Sequence, residues 1–252
     1  MPLPKIDLPL FEIKLASVPR VIQFRPFLVK EEKLLLMALQ SEDEQTILKS
    51  IKQVVNNCLV ENTLDIDSIP IFDIEYLFLN IRARSVGEIV DSAFVCKNVV
   101  GVDKDEQGED MEVQCGNVMN VKVNILEIQP PTNNINTKLY FTKDVGIQLK
   151  FPSLGTFQSV KGLLMGEDLE QLYQFIFECT DYVFDENSVY YAKESSLQEF
   201  SQFLDSLTQE QFDKIIDFFK SLPTLKKDIK QICEKCNFEH DLTLEGLSDF
   251  FT

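Results

Sequence analysis

Apolar positions along the first sixty residues change period once. Phe11 to Leu15 (FEIKL) alternates apolar with charged, and Val21 to Phe24 (VIQF) repeats that alternation after Pro19, which predicts a short antiparallel hairpin. From Val29 to Gln40 and from Glu44 to Val60 the apolar residues recur three and four apart, predicting two helices. Ser41 and Asp43 between them read as a turn and an amino-terminal cap. Cys58, closing the second helix, reads as a small core residue. A third helix is expected from Phe72 to Glu88, with Asp73 as its cap and Gly87 just past its end.

From Glu88 the period returns to two. EIVDSAFVC leads to Cys96, an acidic loop follows, and CGNVMNVKVNILEI sets Val121, Val123 and Ile125 on one face. TKLYFT and GIQLKFP continue as strands to Pro152, and Pro130-Pro131 with Asn133-Asn134 marks a loop. Beyond Ser153 three apolar stripes with acidic outer faces predict helices over 167–184, 195–207 and 208–222. Ser195 or Ser196 and Thr208 are candidate caps, and Thr208 with Gln211 fits a capping box. TLKKDIKQICEKC then reaches Cys233 and Cys236, and HDLTL predicts a last short strand.

The expected class is α+β: an amino-terminal hairpin and helices, central antiparallel strands with a zinc-ribbon-like element, and an acidic carboxyl-terminal helical region. The order suggests one region over 1–152 and a second over 153–252, whose cysteine-bearing strand packs back on the central strands.

Composition narrows the function. The chain has 252 residues and a net charge of −17, with thirteen acids against Lys193 and Lys214 between Glu167 and Asp217. Six more acids stand against Lys104 between Asp103 and Glu112. Such charge repels phosphate backbones, so nucleic acid is not an expected partner; it serves solubility or meets a basic protein. Gly is scarce and neither GxGxxG nor GxxxxGK[ST] occurs. MPLPKIDLPLFEIKL lacks a signal-peptide pattern and no apolar run approaches a membrane span, so an intracellular protein with reduced thiols is expected.

The cysteines carry the candidate chemistry. Cys115 is followed by Gly116 and, six and eight positions on, by Val121 and Val123; Cys236 is followed by Asn237 and, at the same offsets, by Leu242 and Leu244. Gly and Asn most easily take the positive φ that a turn beneath a metal requires. Each neighbourhood reads as a knuckle opening a strand, although eighteen residues separate Cys96 from Cys115. Cys96, Cys115, Cys233 and Cys236 would make a four-thiolate structural zinc site. Two alternatives stand beside it: a redox pair at Cys233 and Cys236, and six unliganded thiols. His240 could replace one thiolate, but its strand face favours a packed or surface role. Asp103, Asp105, Gln107 and Gly108 imitate a calcium loop that fails at Gln114. With His240 the single histidine, no catalytic constellation emerges and a binding or structural protein is expected.

Arg25 to Asp43 (RPFLVKEEKLLLMALQSED), the helix FDIEYLFLNIRARSVGE and the ending CEKCNFEHDLTLEGLSDFF resemble the baseplate hub and hub-assembly proteins of T-even-type bacteriophages. That resemblance implies a non-enzymatic role in tail morphogenesis, as a hub subunit or an assembly chaperone. Its partners would be other hub or tape-measure proteins, met in the host cytoplasm or in the tail baseplate itself. Alternatives are an acidic zinc-binding adaptor unrelated to phage and a thiol oxidoreductase. Candidate partner-binding residues are the basic Arg25, Lys30, Arg82 and Arg84, and Phe218 and Phe219 from a stripe that includes Phe200, Phe203 and Phe212. For the phenylalanines the competing role is the helices' own core.

Overall fold

The computed structural model describes residues 7–41, 43–60, 64–104, 110–130, 135–157 and 169–245. The calcium-loop positions 105–108, the loop residues 131–134, Glu167 and Asp168 of the first acidic helix, and the tail 246–252 lie outside the described residues. Helices and antiparallel sheets together make the expected α+β class.

Two compact units form, each from two stretches: Met1–Ile74 with Pro131–Pro223, and Glu75–Pro130 with Thr224–Thr252. The second unit joins its two stretches through a shared apolar core, in which Val90, Val121 and Val123 meet Leu225 and Leu244.

In the first unit, β1 (Phe11–Lys14) and β2 (Val21–Phe24) form the expected hairpin, in register from Phe11 opposite Phe24 to Lys14 opposite Val21. Helices α1 (Val29–Gln40) and α2 (Glu44–Cys58) follow, and Asp43 caps α2 by accepting the Thr46 N–H at 3.0 Å. Helix α3 (Ile71–Val86) begins before Asp73, so that residue is not its cap. Asp73 is instead buried, and its two carboxylate oxygens accept the backbone N–H groups of Ala16 and Ser17 at 2.9 and 2.8 Å. The carboxylate thereby satisfies donors that the loop after β1 would otherwise bury unpaired.

The rest of this unit corrects the all-helical reading beyond Ser153. Helix α4 (Leu169–Glu178) stops early, and β9 (Thr180–Phe184) with β10 (Val189–Tyr191) takes over. The β-branched and aromatic run Thr180-Asp-Tyr-Val-Phe184 favours a strand. Asp185 turns it by accepting the N–H groups of Asn187 and Ser188, both at 2.8 Å. With β7 (Lys138–Tyr140) and β8 (Gly146–Leu149) these strands form one antiparallel sheet ordered β10-β9-β8-β7. Helices α5 (Leu197–Asp205) and α6 (Gln209–Lys220) carry full capping boxes, Ser196 with Glu199 and Thr208 with Gln211. Their apolar faces join those of α4 and the sheet in an aromatic core: Phe175 lies 4.8 Å from Phe219, and Phe177 5.2 Å from Phe200, between ring centroids.

The second unit holds the later part of α3, which ends at Gly87 with φ +117° as expected. Strand β3 (Ile89–Val95) pairs with β6 (Val118–Asn124), and β11 (Lys226–Ile232) with β12 (Glu239–Glu245). Leu79 and Ala83 of α3 share a core with Val90, Val121, Val123, Leu225 and Leu244. The supposed acidic loop after Cys96 is a hairpin, β4 (Val99–Lys104) paired with β5 (Asp110–Gln114). Its side chains are exposed on both faces, so no burial alternation marked it in the sequence.

Arg25 explains the start of α1. Its backbone N–H donates to the Cys58 carbonyl at 2.8 Å, and its guanidinium donates to the carbonyls of Asn57 at 2.8 Å and Pro26 at 2.9 Å. It also pairs with Glu31 at 3.2 Å, where the side chains are only 17% and 1% exposed. Glu31 in turn accepts the Leu28 N–H at 2.8 Å. Burial opposes ionisation of Glu31, but the Leu28 N–H and Arg25 outweigh it and hold the carboxyl below its ordinary 4.5. Its stabilisation is therefore complete above pH 4.5 and disappears as the pH falls through the lower folded value. Replacing Arg25→Ala removes the buried ion-pair partner of this carboxylate, leaving it the exposed Lys30 and the Leu28 N–H, and is expected to cost about 3 kcal/mol. Urea unfolding at pH 7 measures that loss, and the variant's stability should fall less steeply than the parent's between pH 5 and pH 3.

Candidate metal centre

The β3–β6 and β11–β12 pairs of the second unit end in the same turn. Where β3 and β6 run out, the Cys96 N–H donates to the Asn117 carbonyl at 2.8 Å, and the Gly116 N–H donates back to the Cys96 carbonyl at 3.0 Å. Where β11 and β12 run out, the Cys233 N–H donates to the Phe238 carbonyl at 2.9 Å, and the Asn237 N–H to the Cys233 carbonyl at 2.8 Å. Gly116 has φ +66° and Asn237 +57°, the left-handed turn that the sequence reading required after each second cysteine. The two knuckles thus match bond for bond. Cys96 corresponds to Cys233, and Cys115 to Cys236.

The eighteen-residue gap is closed by β4 and β5. The Cys115 N–H donates to the Asn98 carbonyl at 2.8 Å, so Asn98 and Cys115 adjoin and the hairpin leaves and returns at one point.

All four sulfurs lie within 4.8 Å of one another; Cys96 and Cys236 are 3.6 Å apart, and Cys115 and Cys233 3.8 Å. Four thiolates about 2.3 Å from a shared tetrahedral ion stand about 3.8 Å apart, so the donor set fits a metal of that geometry. Three of the cysteines are buried and Cys236 is half-buried, with Met119 and Phe94 packed against them.

Ionisation is already prepared at one position. Burial raises the Cys233 thiol, but the backbone N–H groups of Cys236 and Lys235 and the neighbouring thiols outweigh it and bring it down to about 6. Burial pushes Cys96 up to about 12 against the pull of the Asn98 N–H. The other two cysteines are inert: burial raises Cys58 to about 11 and Cys179 to about 12.

The T4 bacteriophage base plate protein family matches residues 8–252. The chain belongs to that family. No curated protein and no solved structure matches it.

Around the sulfurs, this base plate protein places donors that the sequence reading missed. The Asn98 side-chain amide donates to Cys236 Sγ at 3.6 Å, the Asn117 amide to Cys233 Sγ at 3.5 Å, and Lys235 Nζ to the Cys115 carbonyl at 3.0 Å. His240 Nε2 lies 3.1 Å from Cys96 Sγ and its ring meets Phe238 edge-on, so it flanks the thiol cluster beside the four sulfurs. Such outer donors disperse the charge of thiolates and orient them.

The candidate partner residues take other places. Phe218 and Phe219 are 4% and 3% exposed and lie in the aromatic core with Phe200, while Phe203 and Phe212 pack against it. Arg25 is occupied as described, and Lys30 is exposed with its ammonium 3.3 Å from Glu31. Arg82 is half-buried, with its guanidinium pushed below its ordinary value by burial, and Arg84 is exposed in the last turn of α3.

Two outcomes are expected. Deleting Val99–Gln114 joins Asn98 to Cys115 and leaves Cys-Lys-Asn-Cys, the spacing of Cys233 to Cys236; elemental analysis should find metal content unchanged. Asn117→Ala should weaken metal retention roughly tenfold in a chelator competition while circular dichroism stays constant.

Proposed function

We propose that this base plate protein is a non-enzymatic component of hub assembly, either a hub subunit or a chaperone of its construction, whose second unit is clasped by structural zinc. The family match along residues 8–252 carries the reading. Four thiolates close a tetrahedral shell and leave no position for a substrate, which favours a structural ion. Buried soft sulfur ligands with amide donors around them favour zinc within that geometry. The single histidine is beside Cys96, which supports a role without acid–base chemistry.

The surface supports a protein partner. Helix α1 turns Val29, Leu36, Met37 and Leu39 outward at 80, 54, 60 and 43% exposure, an apolar stripe opposite its buried Glu31 and Ala38. The net charge of −17 disfavours nucleic acid, and no helix among the described residues is long and apolar enough to cross a membrane. In this reading the partners are other hub or tape-measure proteins, and the encounter takes place in the host cytoplasm during assembly. A thiol oxidoreductase is disfavoured because Cys233 and Cys236 sit in a strand knuckle rather than at a helix amino terminus.

Affinity purification of the tagged protein from infected cells is expected to bring down tail or tape-measure proteins; recovery of host proteins alone would sink the hub role. Mass spectrometry of finished virions then separates a subunit from a chaperone. Native mass spectrometry should show about one zinc per chain, lost on acidification as the thiols take up protons.

A further inference from the structure

The hairpin β4–β5 serves no core among the described residues. Every residue of β4 is exposed, and on β5 only Val113 is partly covered. Val99, Val100, Val102 and Met111 are 43, 53, 65 and 54% exposed. A bare two-stranded hairpin is marginal in water. This one is held at its base, where Cys96 precedes it and Cys115 follows it. The thiol cluster therefore presents the hairpin without depending on it for packing.

Its two outer edges differ. Strand β4 shifts register between Val99 and Gly101 and carries Lys104, features that blunt an edge against pairing. Strand β5, Asp110-Met-Glu-Val-Gln114, is regular, contains neither Pro nor Lys, and forms one side of a two-stranded sheet. Asp110 and Glu112 share one face, Met111 and Val113 the other. Opposite charges across paired strands stabilise them, and like charges do the reverse. A second copy of this edge would oppose acid to acid, and nucleic acid or anionic lipid would meet the same repulsion. A basic strand answers both the open edge and its carboxylates.

We propose that the outer edge of β5 takes up, as a third strand, an extended segment of a base plate partner in which Lys or Arg alternates with apolar residues. The partner's identity rests on the base plate reading above, whereas the edge chemistry does not.

The test uses a synthetic strand of about ten residues alternating Lys with Val, and a twin with Glu replacing Lys. Binding of the Lys strand to the full zinc-loaded chain should weaken as salt rises. It should fall at least tenfold in the chain lacking Val99–Gln114, and equally in the full-length variant combining Asp110→Lys with Glu112→Lys. Undiminished binding by either variant, or equal binding of the Glu twin, overturns the proposal. Purified base plates of the encoding phage form the second arm. Retention of the full chain with loss of the shortened one supports the proposal. Equal retention of both overturns it and leaves the base plate reading standing. If neither is retained while the peptide result holds, the base plate partner is overturned and the edge chemistry alone survives.

Discussion

Four sulfurs confined within 4.8 Å cannot all be thiolates unless a cation lies among them. Two like charges about 4 Å apart repel by roughly 4 kcal/mol at an effective dielectric near 20, and four of them make six such pairs. The second unit must therefore keep its thiols largely protonated or bind a metal. Either way its geometry comes from backbone hydrogen bonds: both knuckles are set by the same two, before any ligand is considered. The strands form ribbons of only two, and such ribbons are weak alone. Their common apolar layer with α3 and the sulfur cluster at their tips act together, one at each end of the ribbons.

The first unit solves its stability differently. Its aromatic core spreads burial over three helices and a sheet, so no one contact dominates. Polar chemistry is confined to a few joints. Arg25 and Glu31 form a nearly buried pair that also bonds the Asn57 and Pro26 carbonyls and the Leu28 N–H, which offsets the desolvation that weakens most such pairs. Asp73 does the same for the loop after β1. The Arg-Pro-Phe-Leu segment that gave the sequence its phage resemblance thus has a structural cause: Arg25 ties the end of α2 to the start of α1.

Periodicity identified what burial imposes. The hairpin β1–β2, the helices α1 to α3 and the alternating β6 and β12 were legible because one face of each is covered. Where both faces are wet, as in β4 and β5, no alternation was available to read. Strand β9 was hidden because its apolar residues continued the stripe of α4, and a helix stripe and a buried strand look alike over five residues. Strand β10 is three exposed residues with no burial alternation to read. The four sulfurs were found through equal offsets behind Cys115 and Cys236, a signal of matching strands that the irregular gap does not disturb. Asp73 and Arg25 could not be placed, since the groups they satisfy are far away in sequence. Composition alone could not say which phenylalanines are core, and burial assigns Phe218 and Phe219 there.

The inserted hairpin follows from the knuckle's own geometry. Asn98 and Cys115 are already joined by a 2.8 Å backbone bond, so chain added between them leaves from and returns to a fixed gap. Loop entropy grows only slowly with the length of such an excursion, and a hairpin recovers part of it through its own pairing. Neither the apolar layer nor the sulfur cluster is disturbed, because no residue of β4 or β5 belongs to either. A surface that varies without touching the core is where recognition is most easily carried. The cysteine cluster and the exposed edge of β5 are in that sense one device: rigidity at the base is what allows a two-stranded arm to stand in water.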